Sequence, residues 1–328
     1  MGSLEGKVAV VTGSGQGVGR GIAVGLAREG CRVITNNRKP GGVSGAAYRK
    51  EEMTGDEYRQ VLALRGDAEA TAEIIRAEGG EAMPFYGDVS DYGTAKEMID
   101  FAVETYGRID ILVNNAAGLG QGTILTTEEK DWDYITLAKM KGTYNTMHFA
   151  APHMIEQGGG RIINCASGAW TGTANLCAYS AGNAAVVGLS KAAALELAPH
   201  SITVNVYCPE ANSPGHVVEF NRTVRTLEER LGKKMVITPE RQREVEEDHG
   251  PAENLAPFIA YLAADEAAYI SGTVFSIKAS GKMSFYSEPE TVRQIWKKEG
   301  AWTVGELMEA VPRELLYDYT TRATGEGW

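Results

Sequence analysis

Cysteine, histidine and long apolar runs are all scarce in this chain. Its four cysteines, Cys31, Cys165, Cys177 and Cys208, are scattered without the spacing of a metal site. They read as reduced thiols, so the expected location is cytoplasmic. The five histidines also lack metal spacing, and no metal is expected. No stretch approaches the ~20 apolar residues of a membrane span. Met1-Gly2-Ser3 leads straight towards an apolar strand, so no signal peptide is expected. Cations are outnumbered: 32 Lys and Arg face 43 Asp and Glu, a net charge of −11. That balance argues against nucleic acid or an anionic membrane as the main partner.

What is present is a full-sized apolar complement, 43% of 328 residues, long for one doubly wound domain and short for two. The organising stretch is Val8-Ala9-Val10-Val11-Thr12-Gly13-Ser14-Gly15-Gln16-Gly17-Val18-Gly19. Its β-branched apolar run without alternation predicts a strand covered on both faces. Gly13, Gly17 and Gly19 then permit a tight turn and close approach of a ligand. A helix starting near Gly19 would aim free N–H groups and its positive dipole end at that turn, a seat for a pyrophosphate.

Strand and helix signals alternate along the rest of the chain. Strands are expected at 31–35, 82–86, 109–113, 161–166, 202–206 and 273–277, with helices at 22–29, 70–78, 95–106, 131–157, 179–197 and 257–263. This alternation predicts an α/β fold, a doubly wound parallel sheet of the Rossmann type. One domain is expected over 1–280, with a loop insertion at about 39–67 and a substrate lid at about 210–250. Residues 281–328 are expected to form a helical C-terminal extension, with helical periods over Pro289 to Leu316, packing on the core or a neighbouring subunit. Ligands of such sheets bind beyond the carboxyl ends of the strands.

Thr12-Gly13, Gly17-Val18-Gly19, Asn114-Asn115-Ala116, a serine closing the fifth strand and Tyr179 shortly after it resemble a classical short-chain dehydrogenase/reductase over residues 5 to 280. Within that family the chain looks most like the 3-hydroxyacyl-CoA dehydrogenase domain of multifunctional β-oxidation enzymes. The Gly-rich extension after strand two, the segment Pro209 to Ser213 and the tail with Gly281-Lys282-Met283 and Gln294 to Lys298 suggest it. The resemblance implies NAD(P)(H)-dependent interconversion of a secondary alcohol and a ketone, on a hydroxyacyl-CoA or a cyclic, steroid-like alcohol. It also implies a homodimer or homotetramer built on the Asp131–Gln157 and Tyr179–Leu197 helices.

The family's catalytic set is Asn, Ser, Tyr and Lys. A phenol with a pKa of about 10 is a poor base at neutral pH, and a nearby cation must lower it. Tyr179 matches the acid/base, and Ser167, six residues beyond Arg161, matches the serine that holds the substrate oxygen. The other two positions are exchanged. Asn183 stands four residues past Tyr179, where the family has lysine. Lys139, seven residues beyond Trp132, stands where it has asparagine. Three readings are open. Lys139 sends its ammonium into the usual lysine's space while Asn183 takes the water or ribose contact. Or the chain is a catalytically impaired dinucleotide-binding partner subunit. Or it runs diverged chemistry on a related ligand. The first is preferred, because two losses by drift would rarely restore one Lys and one Asn.

For the cofactor, the resemblance assigns contacts to Gly13, Gln16, Gly17, Val18 and Gly19 in the turn, and to Asn37 and Arg38 after strand two. It also assigns them to Asp88 and Val89 at the adenine edge, to Asn115, Ala116 and Ala117, and to Pro209 and Ser213. Asn37 replaces the acid that NAD-preferring members use, and Arg38 and Lys39 follow. Neutral plus basic suits a 2′-phosphate, so NADP(H) is favoured over NAD(H). Glu210 stands where most members have glycine.

Overall fold

The computed structural model describes residues 2–41, 54–55, 58–59, 66–213, 224–225, 228, 232–234, 238 and 249–318. The expected insertion at 39–67 and lid at 210–250 lie largely outside these residues. The described chain divides into Met1–Tyr286 and Ser287–Trp328. The first unit therefore runs past the expected boundary at 280, for a reason given by its last strand.

The apolar run Val8–Val11 is buried at all of its positions and forms β1. The other strands are β2 (Arg32–Asn37), β3 (Ala82–Tyr86), β4 (Ile111–Asn114), β5 (Gly160–Cys165), β6 (Ile202–Glu210), β7 (Val274–Lys278) and β8 (Met283–Phe285). Their order in one sheet is β3-β2-β1-β4-β5-β6-β7-β8. Strands β1 to β7 are parallel, and only β8 is antiparallel, on β7. The order reverses between β1 and β4, which opens a crevice at their carboxyl ends. Pro84 sits within β3, which is tolerable because β3 is the sheet edge.

Helices cover both faces, so the strands need no polar alternation. Helices α1 (Gly17–Arg28), α2 (Ala68–Ala77) and α7 (Ala256–Ala263) bury Ile22, Leu26, Ile75 and Ile259 against one face. On the other, α3 (Tyr92–Tyr106), α5 (Gly142–Glu156) and α6 (Cys177–Leu197) bury Met98, Ile99, Met147, Met154 and Ala194. The single helix expected over 131–157 is three pieces: α4 (Glu129–Thr136), a π turn at Leu137–Lys141, and α5. Such one-turn widenings are frequent at functional sites. No helix among the described residues is long and apolar enough to cross a membrane.

A buried polar chain fixes α5 and α6 to the sheet. Thr146 Oγ1 donates to Asn114 Oδ1 at 2.6 Å, and Asn114 Nδ2 to Asn164 Oδ1 at 2.9 Å. Asn164 Nδ2 donates to Ser190 Oγ at 2.9 Å, and that hydroxyl donates to the Val186 carbonyl at 2.6 Å. Truncating one member would leave a buried partner unsatisfied, at a cost of about 1–3 kcal/mol.

Strand β8 has no counterpart in the sequence reading. Its residues are exposed, so no burial pattern marks it, but Phe285, Ser284 and Met283 pair with Phe275, Ser276 and Ile277. Strand β6 also outruns its expected end at 206, because its pairing with β7 continues to Glu210 and Lys278.

The second unit carries less helix than expected. Among its described residues only α8 (Val304–Ala310) is α-helical, followed by a π turn at Val311–Leu315, and Pro289 to Thr303 is not helical. Thr303 and Glu306 form a capping box at the start of α8. Lys297 binds the same Glu306 at 2.7 Å, and Arg293 pairs with Asp318 at 2.7 Å.

Candidate active site

The glycine turn after β1 is held from beneath by strand ends. Thr12 Oγ1 accepts from the backbone N–H of Asn115 at 2.9 Å and of Ala116 at 3.0 Å. Asn115 Nδ2 donates back to the carbonyls of Thr12 and Gly13, at 3.2 and 3.1 Å. Asn36 Oδ1 accepts from Gly13 N at 3.2 Å. Gly13 (φ 61°) and Gly17 (φ 54°) adopt left-handed backbone that favours glycine. A Cβ on Gly15 would run into Asn37 Oδ1, and one on Gly19 into Asn115 Nδ2. Gln16 is the N-cap residue of α1, and Gly17, Val18 and Gly19 open that helix. The expected helix start near Gly19 thus lies within the first turn rather than at its beginning.

The remaining expected cofactor residues fall on the same edge of the sheet. Asn37 closes β2, is almost fully buried, and its Oδ1 has no partner among the described residues. Arg38 pairs with Asp88 at 3.0 Å and lies over the Tyr134 ring at 4.9 Å. Asp88 also accepts from Ser90 N at 2.9 Å. Val89 is buried against α5, where its carbonyl accepts from Asn145 Nδ2 at 3.0 Å. Ala116 and Ala117 follow β4, Pro209 closes on Ile277 near the end of β6, and Ser213 lies just beyond. Glu210 is paired with Lys278 at 2.8 Å, its register neighbour on β7.

The structure brings all four expected catalytic side chains together. Lys139 occupies the middle of the π turn and is 1% exposed, its Nζ donating to the Cys165 carbonyl at 2.8 Å. That carbonyl ends β5, two residues before Ser167. The lysine stem packs on α6 at Gly182, where even a Cβ would only touch Lys139 Cβ, at 3.4 Å. Asn183, fully buried, donates from Nδ2 to the Tyr179 carbonyl at 2.7 Å. This bond fixes which end of the amide faces the helix and leaves Oδ1 as a buried acceptor without a partner among the described residues. Ser167 opens a 3-10 turn, Gly168–Thr171, and its Oγ accepts from Ala169 N at 3.3 Å.

Electrostatics converge on Tyr179. Burial pushes its phenol above the ordinary value, and the Lys139 ammonium is the largest influence pulling it back down. Nearby Cys165 adds to the upward push, while the polar side chains of Ser167 and Asn183 beside it oppose it. Burial likewise pushes the Cys208 thiol up to about 12, with Cys165 adding and Lys139 opposing. Cys208 is thus a buried thiol rather than a nucleophile.

Two tyrosines at this edge escaped the sequence reading. Tyr207, on β6 and fully buried, donates from its hydroxyl to Asn115 Oδ1 at 3.0 Å. Tyr286, directly after β8, meets Trp170 edge-on with ring centroids 5.3 Å apart. The only available signal for Tyr207 was a polar-tipped ring in a strand with no other aromatic residue.

Comparison with known proteins finds relatives over most of the chain. The family pattern described as short chain dehydrogenase matches residues 45–224. An oxidoreductase of Thermotoga maritima is 32% identical over 276 residues, spanning 84% of this chain and 97% of its own. A 3-oxoacyl-(acyl-carrier-protein) reductase of Staphylococcus aureus is 33% identical over 273 residues, spanning 83% and 96%. A crystal structure of a short chain dehydrogenase from Mycobacterium avium superposes with a TM-score of 0.74 at 29% identity, covering 96% of both chains.

Proposed function

Because the chain belongs to the short-chain dehydrogenase/reductase family, NAD(P)-dependent oxidoreductases acting on CH–OH and carbonyl groups, we propose that Tyr179, Ser167, Lys139 and Asn183 form its catalytic group. The carrying observation is the buried Lys139 side chain, anchored on the Cys165 carbonyl and acting on Tyr179. The cradle fits a dinucleotide: two glycines are left-handed, Gly15 and Gly19 leave no room for a Cβ, and buried acceptors wait on Asn37 and Asn183. Gly13 to Gly19 with the start of α1 would hold the pyrophosphate, and Asp88, Val89 and Asn115 to Ala117 the adenosine side. Pro209 and Ser213 would border the nicotinamide end. When bound, the nicotinamide supplies or accepts a hydride at the carbinol carbon.

In alcohol oxidation Tyr179, as phenolate, takes the hydroxyl proton, and in ketone reduction the phenol gives it. Ser167 holds the substrate oxygen through its hydroxyl. Lys139 pulls the phenol back down against burial by placing a positive charge beside it, where low polarity strengthens the effect, and so eases formation of the phenolate. Asn183 Oδ1 accepts from a ribose hydroxyl or from a water that passes the proton onward. Each part is taken by a residue already held in place, which is how electrostatic preorganisation lowers a barrier.

For the cofactor, NADP(H) is the reading we favour over NAD(H). Asn37 presents no carboxylate to repel a 2′-phosphate, and Arg38 stands beside it with its guanidinium on Asp88, a cation that a 2′-phosphate could engage. For the substrate we favour a 3-oxoacyl or 3-hydroxyacyl thioester, on the likeness to the reductase of S. aureus. A homodimer or homotetramer would form on α4–α5 and α6, where Trp132, Met140, Tyr144 and Leu195 are exposed.

The test is direct. Purified protein is expected to shift reduced-nicotinamide fluorescence and then to oxidise that cofactor with 3-oxoacyl thioesters, more slowly with simple ketones. Binding with no turnover across the panel would leave a dinucleotide-binding subunit as the reading.

A further inference from the structure

The last strand of the first unit reaches the active site. Strand β8 folds back on β7, and the chain is pinned just beyond it by the Tyr286 N–H donating to the Val274 carbonyl at 2.8 Å. The Tyr286 ring is thereby set against the 3-10 turn that begins at Ser167. It meets the Trp170 indole at 78°, the edge-to-face arrangement aromatic pairs favour. Its hydroxyl lies 3.4 Å from where a Cβ on Gly168 would be, and it neighbours the Trp170 and Ser276 side chains. Trp170 Nε1, buried, makes no regular hydrogen bond among the described residues. The turn's own bonds are few: Trp170 N–H on the Ser167 carbonyl at 2.9 Å, Gly172 N–H on the Ala169 carbonyl at 2.9 Å, Thr171 Oγ1 on the Gly168 carbonyl at 3.2 Å, and Ser167 Oγ accepting from Ala169. Four residues of 3-10 helix do not fix themselves, because the nucleus costs more order than its bonds return.

We propose that Tyr286 is a positioning residue for Ser167, acting through the Trp170 ring to hold the turn that presents the serine hydroxyl to Tyr179. The segment after the seventh strand is then part of the catalytic apparatus, although it touches neither reacting atom. The inference rests on the catalytic reading above only for its kinetic consequence.

Two measurements on Tyr286→Ala and Tyr286→Phe decide it. In hydrogen exchange, which needs no activity, Tyr286→Ala is expected to speed exchange at residues 168–171 by roughly two- to tenfold, the worth of one aromatic pair. Tyr286→Phe keeps the ring and is expected to restore protection. In kinetics, Tyr286→Ala is expected to lower kcat by a similar factor while the dissociation constant for reduced cofactor stays unchanged. The acidic limb of its pH profile is expected to move up, because the Ser167 hydroxyl, which favours the phenolate, is less firmly held near Tyr179 while Lys139, Cys165 and Asn183 still face it. Unchanged exchange in Tyr286→Ala overturns the proposal. So does a loss of cofactor affinity that matches the loss of kcat, which would mark general damage. Should the parent protein show no turnover, the catalytic reading fails alone and exchange still decides the role of Tyr286.

Discussion

Replacing Lys139 by methionine removes one charge and keeps most of the volume. The parent side chain is 1% exposed and gives Nζ to the Cys165 carbonyl, so its charge acts on Tyr179 with little water between. A single opposite charge beside a buried acid shifts its pKa by roughly 1–3 units, and each unit is about 1.4 kcal/mol. The Tyr179 phenol, already pushed up by burial and held down chiefly by Lys139, is expected to rise by that amount. Alcohol oxidation needs the phenolate, so on the acidic limb kcat/KM is expected to fall roughly 10- to 1000-fold. The limb itself moves up by the same 1–3 units or so, and the deficit shrinks as pH approaches the new pKa. The assay is the initial rate of cofactor reduction between pH 6 and 10, with thermal unfolding as a check on the fold, since the Cys165 carbonyl loses its donor. The exchange of positions allows a sharper control. Lys139→Asn and Asn183→Lys should each lose activity, while the double variant regains part of it, a coupling that independent sites do not show. A Lys139→Met enzyme with an unmoved limb and undiminished rate would refute the electrostatic argument.

Three further outcomes follow from residues at the carboxyl edge of the sheet. Asn37→Asp puts a carboxylate at the end of β2 and is expected to weaken NADP(H) relative to NAD(H), read as the ratio of the two dissociation constants by fluorescence titration. Gly15→Ala drives a methyl into Asn37 Oδ1 and the Asp67 backbone, so cofactor affinity should fall even if the sheet still forms, as circular dichroism would report. Asp67 caps α2 by accepting from Ala70 N at 3.0 Å, and this bond is the main reason its carboxyl sits below the ordinary range; Gly41 N and Tyr86 assist. Its stabilisation is therefore present above the unfolded carboxyl value and disappears as pH falls through the lowered one. Asp67→Ala should cost about 1 kcal/mol in urea unfolding at pH 7 and progressively less at acid pH, where an unchanged difference would count against the cap.

Much of the architecture was legible in the chain. The Val8–Val11 run, the glycine turn after it and the strand–helix alternation all follow from burial on two faces, which writes itself into sequence as unbroken apolar runs. Tyr179, Ser167, Lys139 and Asn183 could be picked out individually, and they do converge. What could not be read were features decided by distant partners. The π turn at Leu137–Lys141 leaves the apolar period almost unchanged, so it looked like one helix. Strand β8 is exposed at Met283, Ser284 and Phe285, and its pairing is made by backbone alone. Tyr207 finds Asn115 from another strand, a contact that no local pattern encodes. The tail reads as helical over Pro289 to Thr303 because its apolar residues recur at suitable intervals, yet Val292 and Trp296 are exposed and gain no burial by coiling.

The antiparallel pairing of β8 also bears on where such a protein can be shortened. Stopping the chain at the seventh strand would strip Val274–Lys278 of its outer neighbour and present a bare row of amide and carbonyl groups to other molecules. Stopping after Tyr286 would keep that row occupied and the ring seated on Trp170. The shortest piece that keeps both the covered sheet edge and that ring contact thus ends just past a three-residue ribbon that contributes almost nothing to the interior.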